Sequence, residues 1–332
     1  MDNILQQFTA MTPTEQLELI KKLENNIGGE AKILSYIDKK SECYHCQSSN
    51  VIKFGYYAGK ARYRCKDCKK TFSDFTGTSV YCIKKKHLWM SFLRLMLENK
   101  PIRYIAKQLH LSTKTVFLWR HRVLDAFQNI FQKKFKGIVE TDDIYLPFNQ
   151  KGRKNDFFGI RRKKMRNAKK RGISNQLVSV MVWADRYQTL DMQKVKLGRI
   201  TKADLDRTTN LDRLNDNNII CSDTHRSIES FVKTLHLKHV QIKAGAKEYV
   251  KEGLYHIQKV NSLASQFKRW LNKNFISVST KYLQNYLSWF KMTQILNETN
   301  TLENFISYSL QDIDTFYRAK NVENNYQQFL TL

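Results

Sequence analysis

Hydrophobic and polar positions change texture at about residue 137. Beyond it, Gly137–Leu146, Gln176–Arg186 and Leu190–Leu197 carry aliphatic and β-branched residues in runs or alternation, which predicts three successive strands. Thr201–Leu214 reads as a helix, Asn218–Ser222 as a buried strand, His225–Leu235 as a helix and His239–Lys243 as a short strand. Two helices follow, over Val260–Phe275 and Thr280–Leu296. Three strands, then alternating helix and strand, predict a mixed α/β sheet with flanking helices over 137–296.

The chain before residue 137 divides into three pieces. In residues 1–40, Thr12-Pro13-Thr14-Glu15 is a capping box with proline at the first helical position. Leu17, Ile20, Leu23 and Ile27 follow at helical spacing, as expected of a small packing helix. Residues 41–82 hold strand-like runs at Val51–Tyr57 and Ala61–Arg64, and residues 83–130 are helical. Residues 297–332 form a helical tail that carries no motif.

Two pieces carry recognisable chemistry. Cys43-Tyr44-His45-Cys46 and Cys65-Lys66-Asp67-Cys68 are two C-x-x-C pairs separated by 18 residues. Each pair offers two thiolates on one turn, and an intervening hairpin brings the turns together, which suits a tetrahedral structural Zn²⁺. With four protein ligands no position stays open for catalysis. His45 is expected at the surface and not on the metal. Cys82 and Cys221 are left over and are expected to be buried thiols. In Ile102–Arg120, the residues Ile105, Ala106 and Leu109 make one apolar face. Ser112 can cap a second helix whose inner face is Val116 and Trp119. This is a helix-turn-helix pattern, with Thr113, Lys114, Thr115 and Arg120 free to reach DNA.

Charge sharpens the picture. Lys and Arg number 57 against 30 Asp and Glu, a net +27. That favours a polyanionic partner, and double-stranded DNA is the first candidate. There is no apolar run of 18 residues and no apolar h-region after the N-terminus. The chain is therefore expected to have no membrane partner and to be cytoplasmic, associated with the nucleoid when on DNA. The densest basic stretch is 151–172, with eleven basic residues, Arg161, Arg162, Lys163 and Lys164 among them, against one acid, Asp156. Lying between the first two strands, it reads as a phosphate-binding strap.

Against this basic background the acids stand out. Glu140, Asp142 and Asp143 lie on the first predicted strand of the α/β region, and Asp223 ends the fourth. Asn261 opens a later helix, with Lys268 two turns on along the same face. Hard oxygen donors at such places suit two Mg²⁺ or Mn²⁺ ions in phosphoryl transfer.

These marks resemble the insertion-sequence transposases of the zinc-ribbon group, family fifteen ninety-five, from about Cys43 to Phe290. The resemblance rests on Arg62-Tyr63-Arg64-Cys65-Lys66-Asp67-Cys68, Val139-Glu140-Thr141-Asp142, Lys170-Arg171-Gly172-Ile173-Ser174 and Cys221-Ser222-Asp223. It continues through Tyr255-His256-Ile257-Gln258-Lys259-Val260-Asn261-Ser262, Phe267-Lys268-Arg269-Trp270 and Thr280-Lys281-Tyr282-Leu283. It implies a ribonuclease-H-like fold preceded by a zinc ribbon and a helix-turn-helix. It further implies that Asp142, Asp223 and Asn261 bind the catalytic metals and that Lys268 contacts DNA near the scissile phosphate. The implied activity is DNA cleavage and strand transfer at terminal inverted repeats and target DNA by a homo-oligomer. Two departures are visible: Asp143 stands where the family usually has Glu, and Ala264 where close relatives have His. Strand alternation sends Asp142 and Asp143 to opposite faces. Two other readings compete: a non-catalytic ribbon and helix-turn-helix regulator derived from a transposase, and a nuclease that cuts without joining. A complete Asp-Asp-Asn set argues against the first, and the two recognition modules favour end-specific binding over cutting alone.

Overall fold

The computed structural model describes residues 2–26, 33–37, 40–57, 59–128, 133–151, 171–275, 278–296, 301–310, 322 and 325–331. The chain forms two compact units, Met1–Ala126 with Asn300–Tyr317, and Phe127–Thr299 with Arg318–Leu332. No helix among the described residues is long and apolar enough to cross a membrane.

The first unit opens with α1 (Asp2–Thr9) and α2 (Pro13–Asn26). The expected capping box forms: Thr12 N–H donates to Glu15 Oε2 at 2.9 Å, and Glu15 N–H to Thr12 Oγ1 at 3.4 Å. A three-stranded antiparallel ribbon follows, β1 (Val51–Tyr57), β2 (Lys60–Cys65) and β3 (Thr71–Phe72). Then come α3 (Trp89–Leu97), α4 (Ile102–Gln108) and α5 (Thr113–Ala126). Trp119 of α5 packs against Trp89 and Phe92 of α3, with ring centroids 5.3 and 5.4 Å away. Ser112 caps α5 by accepting from Thr115 N–H at 3.1 Å. Helix Thr301–Leu310 packs against α3 and α5.

The second unit is built on a five-stranded sheet. Its strands are β4 (Ile138–Pro147), β5 (Leu177–Asp185), β6 (Leu190–Leu197), β7 (Ile219–Ser222) and β8 (Lys238–Gln241), in the order β6-β5-β4-β7-β8. β4, β5 and β6 form an antiparallel meander, and β7 and β8 extend it in parallel with β4. This strand order and this mixture of directions are those of the ribonuclease-H-like sheet. One face is closed by α6 (Lys202–Thr208) and α7 (Arg226–Thr234). Their Leu205, Ile228, Phe231 and Val232 bury Val139, Met181, Trp183 and Ile220. The other face receives α8 (Gln258–Phe275) on β4 and β5, and α9 (Leu283–Leu296) on β6.

Polar groups fix α9 to the edge strand. Gln284 accepts from Lys194 N–H at 2.8 Å and donates to Met192 C=O at 3.0 Å, so a side-chain amide occupies backbone groups that an edge would leave open. Below it, buried Asp191 pairs with Lys291 at 2.9 Å and Arg213 at 3.1 Å. Burial is offset here by two cations on one carboxylate.

Two expectations differ in detail. The helix expected over 201–214 stops at Thr208, because the Asn210 side chain accepts from Asp212 N–H and starts a separate 3₁₀ turn at Leu211–Arg213. Cys221 is buried as expected, but Cys82 is exposed and sits at a φ of 60°.

Candidate active site and zinc centre

The ribbon hairpin brings the four predicted thiols together. All four sulfurs lie within 4.8 Å of one another, with Cys43–Cys68 and Cys46–Cys65 at 3.6 Å. A tetrahedron with Zn–S bonds of about 2.3 Å needs sulfurs roughly 3.8 Å apart, so the donor set fits zinc. Backbone N–H groups of Cys68 and Asp67 help bring the Cys65 thiol down to about 7. Cys46 goes the other way, to about 12: a bond from the Ser48 backbone favours its thiolate, but burial and the three other thiols outweigh it. Four thiolates held this close together suit a shared divalent cation. His45 is turned away, its Nε2 3.4 Å from Thr71 C=O.

In the second unit the sheet register decides which acids meet. β4 and β7 run parallel, with Glu140 opposite Cys221. Two residues further on stand Asp142, on the same face of β4 as Glu140 by alternation, and Asp223, one residue past the end of β7 and close enough to act on Asp142. This is the face that α8 covers. Asp142 is pushed from its ordinary 3.8 up to about 7, first by burial, then by the charges of Asp223 and Asp143, while Asp143 N–H and the Lys268 ammonium pull it back. Asp142 Oδ1 accepts from Asp143 N–H at 2.9 Å, and Asp223 Oδ1 from His225 N–H at 3.0 Å. Asp143 belongs to the opposite face, where its Oδ2 takes the Tyr145 hydroxyl at 2.5 Å and lies 3.8 Å from His225 Nε2.

Helix α8 turns a buried stripe of Val260, Leu263, Ala264, Phe267 and Leu271 to the sheet. Asn261 and Lys268 flank that stripe and are exposed. Lys268 lies near enough to act on Asp142. The start of α8 is held by Glu140, which sequence reading passed over as one of several strand acids. Its carboxylate is fully buried and accepts from Lys259 N–H at 2.7 Å and Val260 N–H at 3.2 Å. Its other oxygen lies 3.1 Å from Arg186 and 3.3 Å from His256. Burial and the Glu140 charge push the adjacent Cys221 thiol up to about 11.

Among the expected DNA contacts, Thr113 and Lys114 are exposed and Thr115 is half-buried at the start of α5. Arg120 corrects the sequence reading: it is 1% exposed, and its guanidinium donates to Lys100 C=O at 2.6 Å. The C-terminal half of α5 is buried on nearly every side, so Arg120 holds the helical unit together and does not face DNA. Arg161, Arg162, Lys163 and Lys164 lie outside the described residues.

Comparison with known proteins finds similarity to transposases and to a protein of a transposable element. Residues 134–291 match the model of the ISXO2-like transposase domain. A protein of transposable element ISH50 from Halobacterium salinarum is 29% identical over 263 residues, covering 75% of this chain and 84% of the relative. A pre-cleavage Mos1 transpososome aligns at 12% identity and a TM-score of 0.20, covering 66% of this chain and 78% of that one. The mariner Mos1 paired-end complex with Mg aligns at 13% and 0.25, covering 71% and 76%. Superpositions this loose leave the assignment to the family match and the sheet order. The match assigns residues 134–291, just under half of the chain, to an ISXO2-like transposase domain.

Proposed function

We propose that the chain binds the ends of an insertion element and catalyses metal-dependent DNA cleavage and strand transfer. The observation that carries this is the closeness of Asp142 on β4 to Asp223, the residue after β7, with the Lys268 ammonium of α8 within electrostatic reach of Asp142. An Asp that holds its proton up to about 7 beside a second carboxylate is a site short of cations. Asp142, Asp223 and Asn261 are oxygen donors fit to hold two Mg²⁺ or Mn²⁺ ions, which when bound supply an activated attacking oxygen and a stabilised leaving oxygen. Lys268 adds positive charge near Asp142 for a DNA phosphate to meet. The Asn261 amide completes the donor set without a third negative charge. The ribbon, holding zinc, together with Thr113, Lys114 and Thr115 reads the ends, and the basic 151–172 segment grips phosphates of end and target DNA.

The test uses purified full chain, labelled element ends and Mg²⁺. Asp142→Ala and Asp223→Ala each abolish cleavage and joining while end binding persists, since removing a metal ligand withdraws several kcal/mol of transition-state stabilisation. Asp143→Ala keeps most activity. Asn261→Glu keeps part of it, and Asn261→Leu none. Joined products from both Asp223→Ala and Asn261→Leu overturn the catalytic reading and leave a DNA-binding regulator.

A further inference from the structure

Glu140 is a poor choice for a core position if packing were its only task. Burying a carboxylate is costly unless it is fully paired, and an apolar side chain of similar size serves a sheet–helix interface at least as well. Here the pairing is directed at one place. Oε2 takes the Lys259 and Val260 amides, two of the orphan donors at the start of α8, at 2.7 and 3.2 Å. Oε1 faces Arg186 at 3.1 Å and His256 at 3.3 Å, and Arg186 in turn reaches His256 Nε2 at 2.6 Å and Leu254 C=O at 3.3 Å. Lys259 Nζ donates to Asp185 C=O at 2.7 Å, so the end of β5 grips the same turn.

A helix is ordinarily capped by a residue of its own first turn or of the loop before it. Such a cap fixes the helix start relative to that loop alone. The cap of α8 comes from 119 residues earlier in the chain, on the central strand. Asp142 lies two residues beyond Glu140 on that strand, about 7 Å along it. Asn261 lies one residue beyond Val260, about 1.5 Å along the helix. One fully buried carboxylate therefore connects the strand that carries one metal donor to the helix turn that carries another.

Resting on the catalytic reading above, we propose that Glu140 is a positioning residue that sets the distance between Asp142 and Asn261, and that Arg186 and His256 hold its carboxylate for this task. It touches neither metal nor DNA. The reach of its carboxylate to the α8 amides matters for the metal site, whereas its charge matters for the stability of the buried cluster.

Two variants of the full chain separate these roles. Glu140→Gln keeps an oxygen at the right reach but removes the charge. Glu140→Asp keeps the charge but is one methylene too short to reach Lys259 and Val260. Mn²⁺ binding, read from the electron paramagnetic resonance signal of the free ion, is measured with denaturant stability and end affinity. Glu140→Asp is expected to weaken Mn²⁺ binding at least tenfold, and Glu140→Gln less than threefold, although Glu140→Gln is the less stable protein. End affinity stays unchanged in both. If Glu140→Asp binds Mn²⁺ like the wild type, or if loss of Mn²⁺ simply follows loss of stability across the pair, the positioning role is wrong. Asp142→Ala separates the underlying reading: Mn²⁺ binding unchanged in that variant removes the metal site itself. Should Glu140→Asp not fold, hydrogen exchange in the wild type decides. Saturating Mn²⁺ slows the Lys259 and Val260 amides at least tenfold if cap and site move as one, and leaves them unchanged if they do not.

Discussion

Asp142 offers a measurable trade between stability and chemistry. In the metal-free protein its carboxyl holds its proton up to about 7, against an ordinary 3.8, chiefly because it is buried and faces Asp223. For an acid whose folded value is raised, the cost to folding is absent below the unfolded value, grows as pH rises between the two, and is complete above the folded one. At about 1.4 kcal/mol for each factor of ten, the span from 3.8 to about 7 amounts to up to about 4 kcal/mol of lost stability above pH 7. Asp142→Asn removes the charge and keeps the oxygen that accepts Asp143 N–H. The variant is therefore expected to match the wild type near pH 4 and to exceed it by up to about 4 kcal/mol at pH 8. Denaturant titrations across that range, with hydrogen exchange at β4 amides to place the unfolding in the second unit, read the difference directly. Mn²⁺ should reverse the order at pH 8, stabilising the wild type by binding the folded state and leaving the variant unmoved. A gain that is the same at pH 4 and pH 8, or a variant weaker than the wild type at pH 8 without metal, refutes the argument.

Three further outcomes are expected. Purified protein should contain about one zinc per chain, and Cys65→Ser should lose it and weaken end binding; full zinc occupancy in that variant removes the four-thiol assignment. Arg120→Ala should destabilise the first unit by about 2–4 kcal/mol, since it empties a buried position and orphans Lys100 C=O, whereas Lys114→Ala should leave stability alone and erode the preference for element ends. Replacing Arg161, Arg162, Lys163 and Lys164 with alanine should weaken specific and non-specific DNA alike and flatten log K against log salt by up to about one unit per lost phosphate contact, and an unchanged slope means that the segment does not grip DNA.

What the sequence makes legible here is whatever depends on near neighbours. Alternation along β4 separates Asp142 from Asp143, and the structure shows the two on opposite faces, Asp143 held by Tyr145 and Asp142 opposite α8. The C-x-x-C spacing fixes the thiol cluster because each knuckle is a local turn. Arg120 fails for a reason periodicity cannot supply. Val116 and Trp119 mark an inner face on α5, but the helix also packs against Thr301–Leu310, from nearly two hundred residues away, and Arg120 reaches Lys100 C=O, contacts that an amphipathic pattern within α5 does not disclose. Glu140 fails in the same manner. Beside Asp142 and Asp143 it looks like one more strand acid, and nothing within its own strand discloses that its partners are the amides of Lys259 and Val260. The donors of the proposed metal site can thus be named from local motifs, but the distance between them cannot, because it is set by a contact between two elements that meet only once the sheet has formed. Glu140→Asp should accordingly leave every proposed metal donor in the sequence and still weaken the site.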